Sequence, residues 1–305
     1  MNRRRIFLWG MVVFIGVGAC SSAVSDVEIS TITPTNTISV SPSDPYIISP
    51  TVSPSATKQP QATNTKTPLA CWSEGGQIEL AELSTELLKE PLIYRVYTPP
   101  CYFQQNNQRY PVLYLIHGQS YTDDQWDRLG ADETANGLII TGEIAPFIIV
   151  MPFDAHDRIL PPENTFAEAL MQSLIPKIDD TYRTIANREH RAIGGLSRGG
   201  NWAIHIGFSN WEIFGSVGAH STPTFVIDGA NHLRDLLTAI PTASLPRIYI
   251  DIGEHDRWGY TTHQLETMLT EENIPHEWHL YPGYHEESYW RTHIEDYLRW
   301  YAADW

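Results

Sequence analysis

Arg191-Ala192-Ile193-Gly194-Gly195-Leu196-Ser197-Arg198-Gly199-Gly200 is the stretch around which the rest of the chain arranges itself. A short apolar run enters Gly195-x-Ser197-x-Gly199, and a helical pattern continues from Arg198 to Phe208. A strand that turns sharply into a helix holds its turn residue at the helix head, where the positive end of the helix favours developing negative charge. Glycines on both sides let the backbone pass close to itself. The stretch reads as a nucleophile elbow with Ser197 as the nucleophile.

Outward from the elbow, β-branched and aromatic runs alternate with longer amphipathic ones. Strands are expected at Val112–Ile116, Phe147–Met151, Arg191–Gly194, Gly215–Ala219, Arg247–Ile252 and Glu277–Tyr281. Helices are expected at Phe166–Asp180, Arg198–Phe208, Ala230–Ala239, Thr262–Glu272 and Ser288–Tyr301. This alternation predicts an α/β fold, a mostly parallel central sheet with helices on both faces. Ligands of such sheets gather beyond the carboxyl ends of the strands, so the residues just after each strand are the ones to inspect.

A serine hydroxyl needs a base to take its proton and a carboxylate to orient that base. In chain order the acid should follow the nucleophile and the histidine should come last. His285 stands in the turn directly after the final strand, in Tyr281-Pro282-Gly283-Tyr284-His285. Gly253-Glu254-His255-Asp256 supplies the acid: Asp256 ranks first, being in the loop beyond its strand, and Glu254 second, while Asp251 lies inside the strand. His276 and His279 are three apart on an expected strand, unlike the helical four-residue spacing of a zincin, so no zinc site is read there.

These segments together, with Leu115-Ile116-His117-Gly118 and Trp290, resemble the Putative esterase family of α/β-hydrolases. That family takes in esterase D and S-formylglutathione hydrolases, the feruloyl and acetyl-xylan esterases of carbohydrate esterase family 1, enterochelin esterases and the antigen 85 mycolyltransferases. The similarity runs over roughly residues 75–305 and includes the entry segment Tyr94–Pro100. It implies Ser197 as nucleophile, Asp256 as orienting acid, His285 as base, and an oxyanion hole made by the backbone N–H groups of Gln119 and Arg198. Two departures bear on substrate. Arg198 replaces a frequent methionine and is expected to put a cation on the pocket rim; Tyr284 stands where glycine is frequent and is expected to narrow the approach to His285. His220, Trp258 and Tyr284 are the candidate substrate contacts, whereas His205 and Trp126 are expected to pack in the core.

The ends of the chain differ sharply from this middle. Arg3, Arg4 and Arg5 precede an apolar run of 14 residues, Ile6 to Ala19, which has the form of a secretory signal and is too short to span a bilayer. Val17-Gly18-Ala19-Cys20 resembles a lipobox, so residues 1–19 are expected to be removed and Cys20 to be lipidated. Residues 20–70 follow as a stalk: 26 of the 50 residues from 21 to 70 are Ser, Thr or Pro, too few of them apolar to build a core. The folded domain is then residues 71–305, at the bacterial cell envelope or extracellular surface. Cys71 and Cys101 are expected to form a disulfide there, clipping the domain's start to its first strands.

The formal charge is −16 overall and −18 for residues 71–305, which rules against binding a nucleic-acid backbone or an anionic lipid surface. The expected activity is that of an exported serine esterase acting through an acyl-enzyme, without metal or organic cofactor, on acetyl or feruloyl groups esterified to carbohydrate. The expected partners are the ester substrate and, through the lipid anchor alone, the membrane. An antigen 85-like acyltransferase and a non-catalytic surface binding protein on the same scaffold are the alternatives.

Overall fold

The computed structural model describes residues 70–305. The expected signal segment, Cys20 and the stalk up to residue 69 lie outside the described residues. The strands are β1 (Gln77–Leu83), β2 (Leu92–Thr98), β3 (Val112–Ile116), β4 (Ile148–Pro152), β5 (Arg191–Leu196), β6 (Ser216–His220), β7 (Arg247–Gly253) and β8 (Glu277–Tyr281). They form one sheet in the order β1-β2-β4-β3-β5-β6-β7-β8. β1 and β2 are an antiparallel pair, β2 joins β4 antiparallel, and every pairing from β4 to β8 is parallel. Cys71 and Cys101 are disulfide-bonded with Cα atoms 5.0 Å apart, beside that antiparallel hairpin.

Alternation along the strands divides the core in two. Val112, Tyr114 and Ile116 of β3 face one layer, where Trp202, Ile206, Leu233, Leu237, Leu265 and Met268 pack. Leu113 and Leu115 face the other, against Trp126, Leu138 and a run of aromatic residues from Tyr289 to Tyr301. The first layer's helices are α5 (Arg198–Ser209), α6 (Ala230–Ala239) and α7 (Gly259–Glu271); the second layer's are α1 (Gln125–Leu129), α2 (Ala131–Ile140) and α8 (Glu287–Ala302). α1 and α2 are absent from the sequence reading. Gly130, at φ 95°, ends α1 and starts α2, so neither helix shows a long uninterrupted periodicity.

The helix expected at Phe166–Asp180 is α3 (Phe166–Ala169), a wider π turn over Leu170–Leu174, and α4 (Ile175–Thr181). Pro176 sits in the first turn of α4. Its missing N–H and its ring disfavour the ordinary i to i−4 bond, and the chain accommodates it by widening just upstream.

Candidate active site

Ser197 lies between β5 and α5 with φ 52° and ψ −121°, a backbone conformation that L-residues seldom adopt. Its N–H is held by the His220 carbonyl at 2.8 Å. The turn depends on close approach at Gly199: a Cβ there would lie 2.0 Å from the Ile116 carbonyl oxygen, so any side chain would push β3 away from the elbow.

The structure brings Ser197, His285 and Asp256 into one chain of hydrogen bonds. His285 Nδ1 is 2.8 Å from Asp256 Oδ2, and His285 Nε2 is 2.8 Å from Ser197 Oγ. A carboxylate only accepts, so the ring proton sits on Nδ1 and the Nε2 lone pair faces the serine hydroxyl. The other Asp256 oxygen accepts the Trp258 N–H at 2.8 Å, which fixes the carboxylate plane. The Asp256 side chain is fully buried, and Trp290 stands edge-on to the His285 ring at 5.1 Å. Glu254, the second-ranked acid, is exposed, and it is Asp256 that His285 Nδ1 meets.

Ser197 and His285 open onto a cavity of about 850 Å³. Gln119 and Arg198 both line it, as do Tyr121, Leu160, Phe225, Val226, Trp258 and Trp290. Among the described residues no acceptor takes the Gln119 N–H, and Arg198, as the first residue of α5, has an N–H that the helix itself does not use.

Three sequence expectations are corrected. His220 is not a substrate contact: it is completely buried, with Nδ1 2.6 Å from Asp251 Oδ1 and Nε2 3.0 Å from the Tyr301 hydroxyl. Arg198 does not offer a free cation to the rim, because its buried guanidinium donates to Asp154 Oδ2 from Nε at 3.2 Å and from Nη2 at 3.0 Å. Tyr284 is exposed and its ring lies 5.1 Å from that of His255, outside the cavity wall. Trp258 does line the cavity and is 38 % exposed. His205 packs against Trp202 and Phe225 and reaches Asp228 at 3.0 Å, and Trp126 lies in the core.

Residues without an assigned role in the sequence reading organise the turn after β3. Gln125 accepts the Gly118 N–H at 2.8 Å, and its amide donates to Glu287 at 3.2 Å. His117 and Asp154 join the same turn to the loop after β4. Burial pushes the His117 imidazole below its ordinary pKa, favouring a neutral ring. The available signal was position: both follow buried strands at the carboxyl edge of the sheet.

Residues 84–301 match the Esterase family, described as Putative esterase. The chain is 32% identical over 159 residues to an endo-1,4-beta-xylanase/feruloyl esterase of Xylanibacter ruminicola, covering 49% of this chain and 22% of that protein. It is 30% identical over 161 residues to Esterase Rv1288 of Mycobacterium tuberculosis, covering 50% and 32% respectively. The chain thus spans a third or less of the length of these curated relatives. Among solved structures, a ferulic acid esterase superposes with a TM-score of 0.69 at 23% identity, over 76% of this chain and 100% of the other, a likeness of fold. Eight strands in this order and a family match spanning both core layers agree: the chain has the α/β-hydrolase fold and belongs to the Putative esterase family.

Proposed function

We propose that this esterase works through a Ser197–His285–Asp256 triad and an acyl-enzyme, on hydroxycinnamoyl-type groups esterified to carbohydrate. The observation that carries the triad is the pair of 2.8 Å hydrogen bonds on either side of His285, one to Ser197 and one to Asp256, at the cavity. As Ser197 Oγ attacks the ester carbonyl, its proton passes to His285 Nε2. The imidazolium that forms is stabilised by the Asp256 carboxylate already bonded to Nδ1. The Gln119 and Arg198 N–H groups receive the charge developing on the carbonyl oxygen. His285 then protonates the departing alcohol oxygen, and a water, deprotonated by the same nitrogen, releases the acid and restores Ser197. No step calls on a metal or organic cofactor.

Two features support an aromatic acyl group over acetyl. The cavity, about 850 Å³, is near the upper end of the usual range for small-ligand sites, more than an acetyl group would fill. Beside charged residues such as Arg158, Arg257 and Glu287, its wall includes Tyr121, Phe225, Trp258 and Trp290 with Leu160 and Val226, an apolar side that suits a planar ring. The feruloyl activity in the name of the Xylanibacter relative points the same way. The test is a panel of acetyl, feruloyl and long-chain esters: kcat/KM should be highest for the feruloyl ester. A preference for acetate or long chains would overturn the substrate assignment. Free acid should remain the product when a sugar acceptor is added, and transfer to the sugar would make the protein an acyltransferase. Failure to hydrolyse any ester or to react with a fluorophosphonate would favour the binding-protein alternative.

We also propose export and anchoring through a lipid on Cys20, a reading supported by the basic, apolar and Val17-Gly18-Ala19-Cys20 sequence. Metabolic labelling with a fatty-acid analogue should mark the protein and be lost in Cys20→Ser. Labelling that persists in the variant would sink this assignment.

A further inference from the structure

We propose that Asp154 is a positioning residue that holds both oxyanion donors at once, acting through His117 on one side and through the Arg198 side chain on the other. The inference rests on the reading of Ser197 as nucleophile.

Asp154 follows β4 and is only 2% exposed. Its Oδ2 accepts from Arg198 Nε and Nη2 at 3.2 and 3.0 Å and from Trp202 Nε1 at 2.9 Å. Its Oδ1 accepts from the His156 N–H at 3.1 Å and from Asn164 Nδ2 at 3.0 Å. A buried carboxylate so fully bonded is held rigidly, because each lost donor would leave charge unsatisfied in a dry interior.

The first arm runs through the backbone. The Asp154 N–H donates to His117 Nε2 at 2.9 Å. An N–H can only donate, so Nε2 carries the lone pair and the ring proton is on Nδ1. Nδ1–H in turn donates to the Gly118 carbonyl at 2.7 Å, and the Tyr121 N–H reaches the same oxygen at 3.3 Å. In a planar trans peptide the C=O and N–H point in opposite directions. Drawing the Gly118 oxygen toward His117 therefore turns the Gln119 N–H the other way.

The second arm runs through the carboxylate. Arg198 needs only its backbone N–H at the oxyanion hole, which leaves its side chain free to act as an anchor. The guanidinium is tied to Asp154 and, from Nη2, to the Ile159 carbonyl at 2.7 Å. This fixes the first residue of α5 against the loop that follows β4. That same loop holds the Ser120 N–H through Asp157 Oδ2 at 2.6 Å. The two donors come from separate turns, after β3 and after β5, and Asp154 is bonded to both.

The experiment uses the full chain with p-nitrophenyl acetate, a trifluoromethyl ketone whose tetrahedral adduct places an oxyanion in the hole, and fluorophosphonate titration of active sites. Asp154→Asn and His117→Ala should each lower kcat per titrated site on the order of 10- to 100-fold, short of the loss when an oxyanion donor is deleted outright. KM should change little, ketone affinity should weaken in step with kcat/KM, and the pH midpoint of kcat/KM should stay in place because His285 and Asp256 are untouched. His117→Asn should recover activity relative to His117→Ala, since its amide N–H can replace Nδ1–H at the Gly118 carbonyl. Variants that only lose thermal stability while retaining wild-type kcat per titrated site would overturn the proposal. If Asp154→Asn does not fold, the two His117 variants decide it. Failure of the underlying reading looks different: wild-type protein would then not be labelled at Ser197, or Ser197→Ala would keep its activity.

Discussion

Two Asp–His pairs lie toward the carboxyl ends of the strands, and their surroundings differ. His285 is 2.8 Å from Asp256, and His220 is 2.6 Å from Asp251. Each histidine uses its second nitrogen on a hydroxyl: Ser197 at 2.8 Å for His285, Tyr301 at 3.0 Å for His220. The difference lies in the surroundings. His285 faces the cavity, while His220 is stacked on Tyr297 at 3.7 Å and fully buried. Asp251 Oδ2 is bound by the hydroxyls of Tyr289 and Tyr297 at 2.6 and 2.8 Å. A carboxylate and an imidazole in contact are thus no evidence of catalysis by themselves; what supports the proposed triad is that the His285 pair adds a serine hydroxyl at a cavity, whereas the His220 pair is closed in on every side.

Mutating the two pairs in parallel is the sharpest way to break this contrast. Ser197→Ala or His285→Ala should lower kcat by on the order of 10⁶ with little change in melting temperature, and Asp256→Ala should lower kcat by about 10⁴. His220→Gln should leave kcat per titrated active site near wild type and lower the melting temperature. Asp251→Ala should be the most destabilising of the set, about 3–5 kcal/mol by denaturant unfolding, because it removes a buried charge and strands its three donors. If His220→Gln lost activity as steeply as His285→Ala at full stability, the division of labour would be wrong.

The sequence made one pair legible and hid the other. Ser197, Asp256 and His285 each sit in a turn after a strand, and chain order alone placed them together. The expected strands begin and end within two residues of the observed ones, because the β-branched runs are short and bounded by turn residues. His220 also ends a strand, so position suggested the rim. What buries it comes from far away in sequence: Tyr297 and Tyr301 of α8 and Asp251 of β7. Aromatic residues at helical spacing in α8 read as generic core. Nothing local says that their hydroxyls end on Asp251 and His220. Arg198 failed for the same reason, since its partner Asp154 belongs to another strand's loop.

A carboxylate with no such partners extends the comparison. Asp132, in α2, has one buried oxygen without a hydrogen-bond partner among the described residues and is crowded by Glu133 and Asp127. Burial, first, and the Glu133 carboxyl, second, push it up to about 7. With its folded-state pKa above the unfolded value, Asp132 supports the fold most when protonated, below about pH 4, and that support is lost as pH rises through about 7. Asp132→Asn should therefore match wild type in denaturant unfolding near pH 4.5 and exceed it at pH 8, by roughly 1–2 kcal/mol once its partial exposure is allowed for. An advantage that is the same at both pH values would show that the charge of Asp132 is not the cause.

The smallest change tests the buried pair's third partner. Gly194 of β5 and Gly218 of β6 lie opposite each other in register, and a Cβ on either would lie 1.8 Å from the Tyr301 hydroxyl oxygen. The two glycines form a notch that admits this hydroxyl to His220. Tyr301→Phe keeps the ring and removes only the oxygen, leaving one His220 nitrogen unpaired in the core. The expected cost is about 1 kcal/mol, a fall of roughly 2–4 °C in melting temperature for a domain of this size, with kcat per titrated site unchanged. Gly194→Ala should cost more than Tyr301→Phe, because its methyl group collides with the hydroxyl. In the Tyr301→Phe background that extra cost should shrink, since the oxygen it strikes is gone. If the two substitutions were simply additive, the hydroxyl would not be what the notch is shaped to hold, and His220 would owe its position to Asp251 and Tyr297 alone.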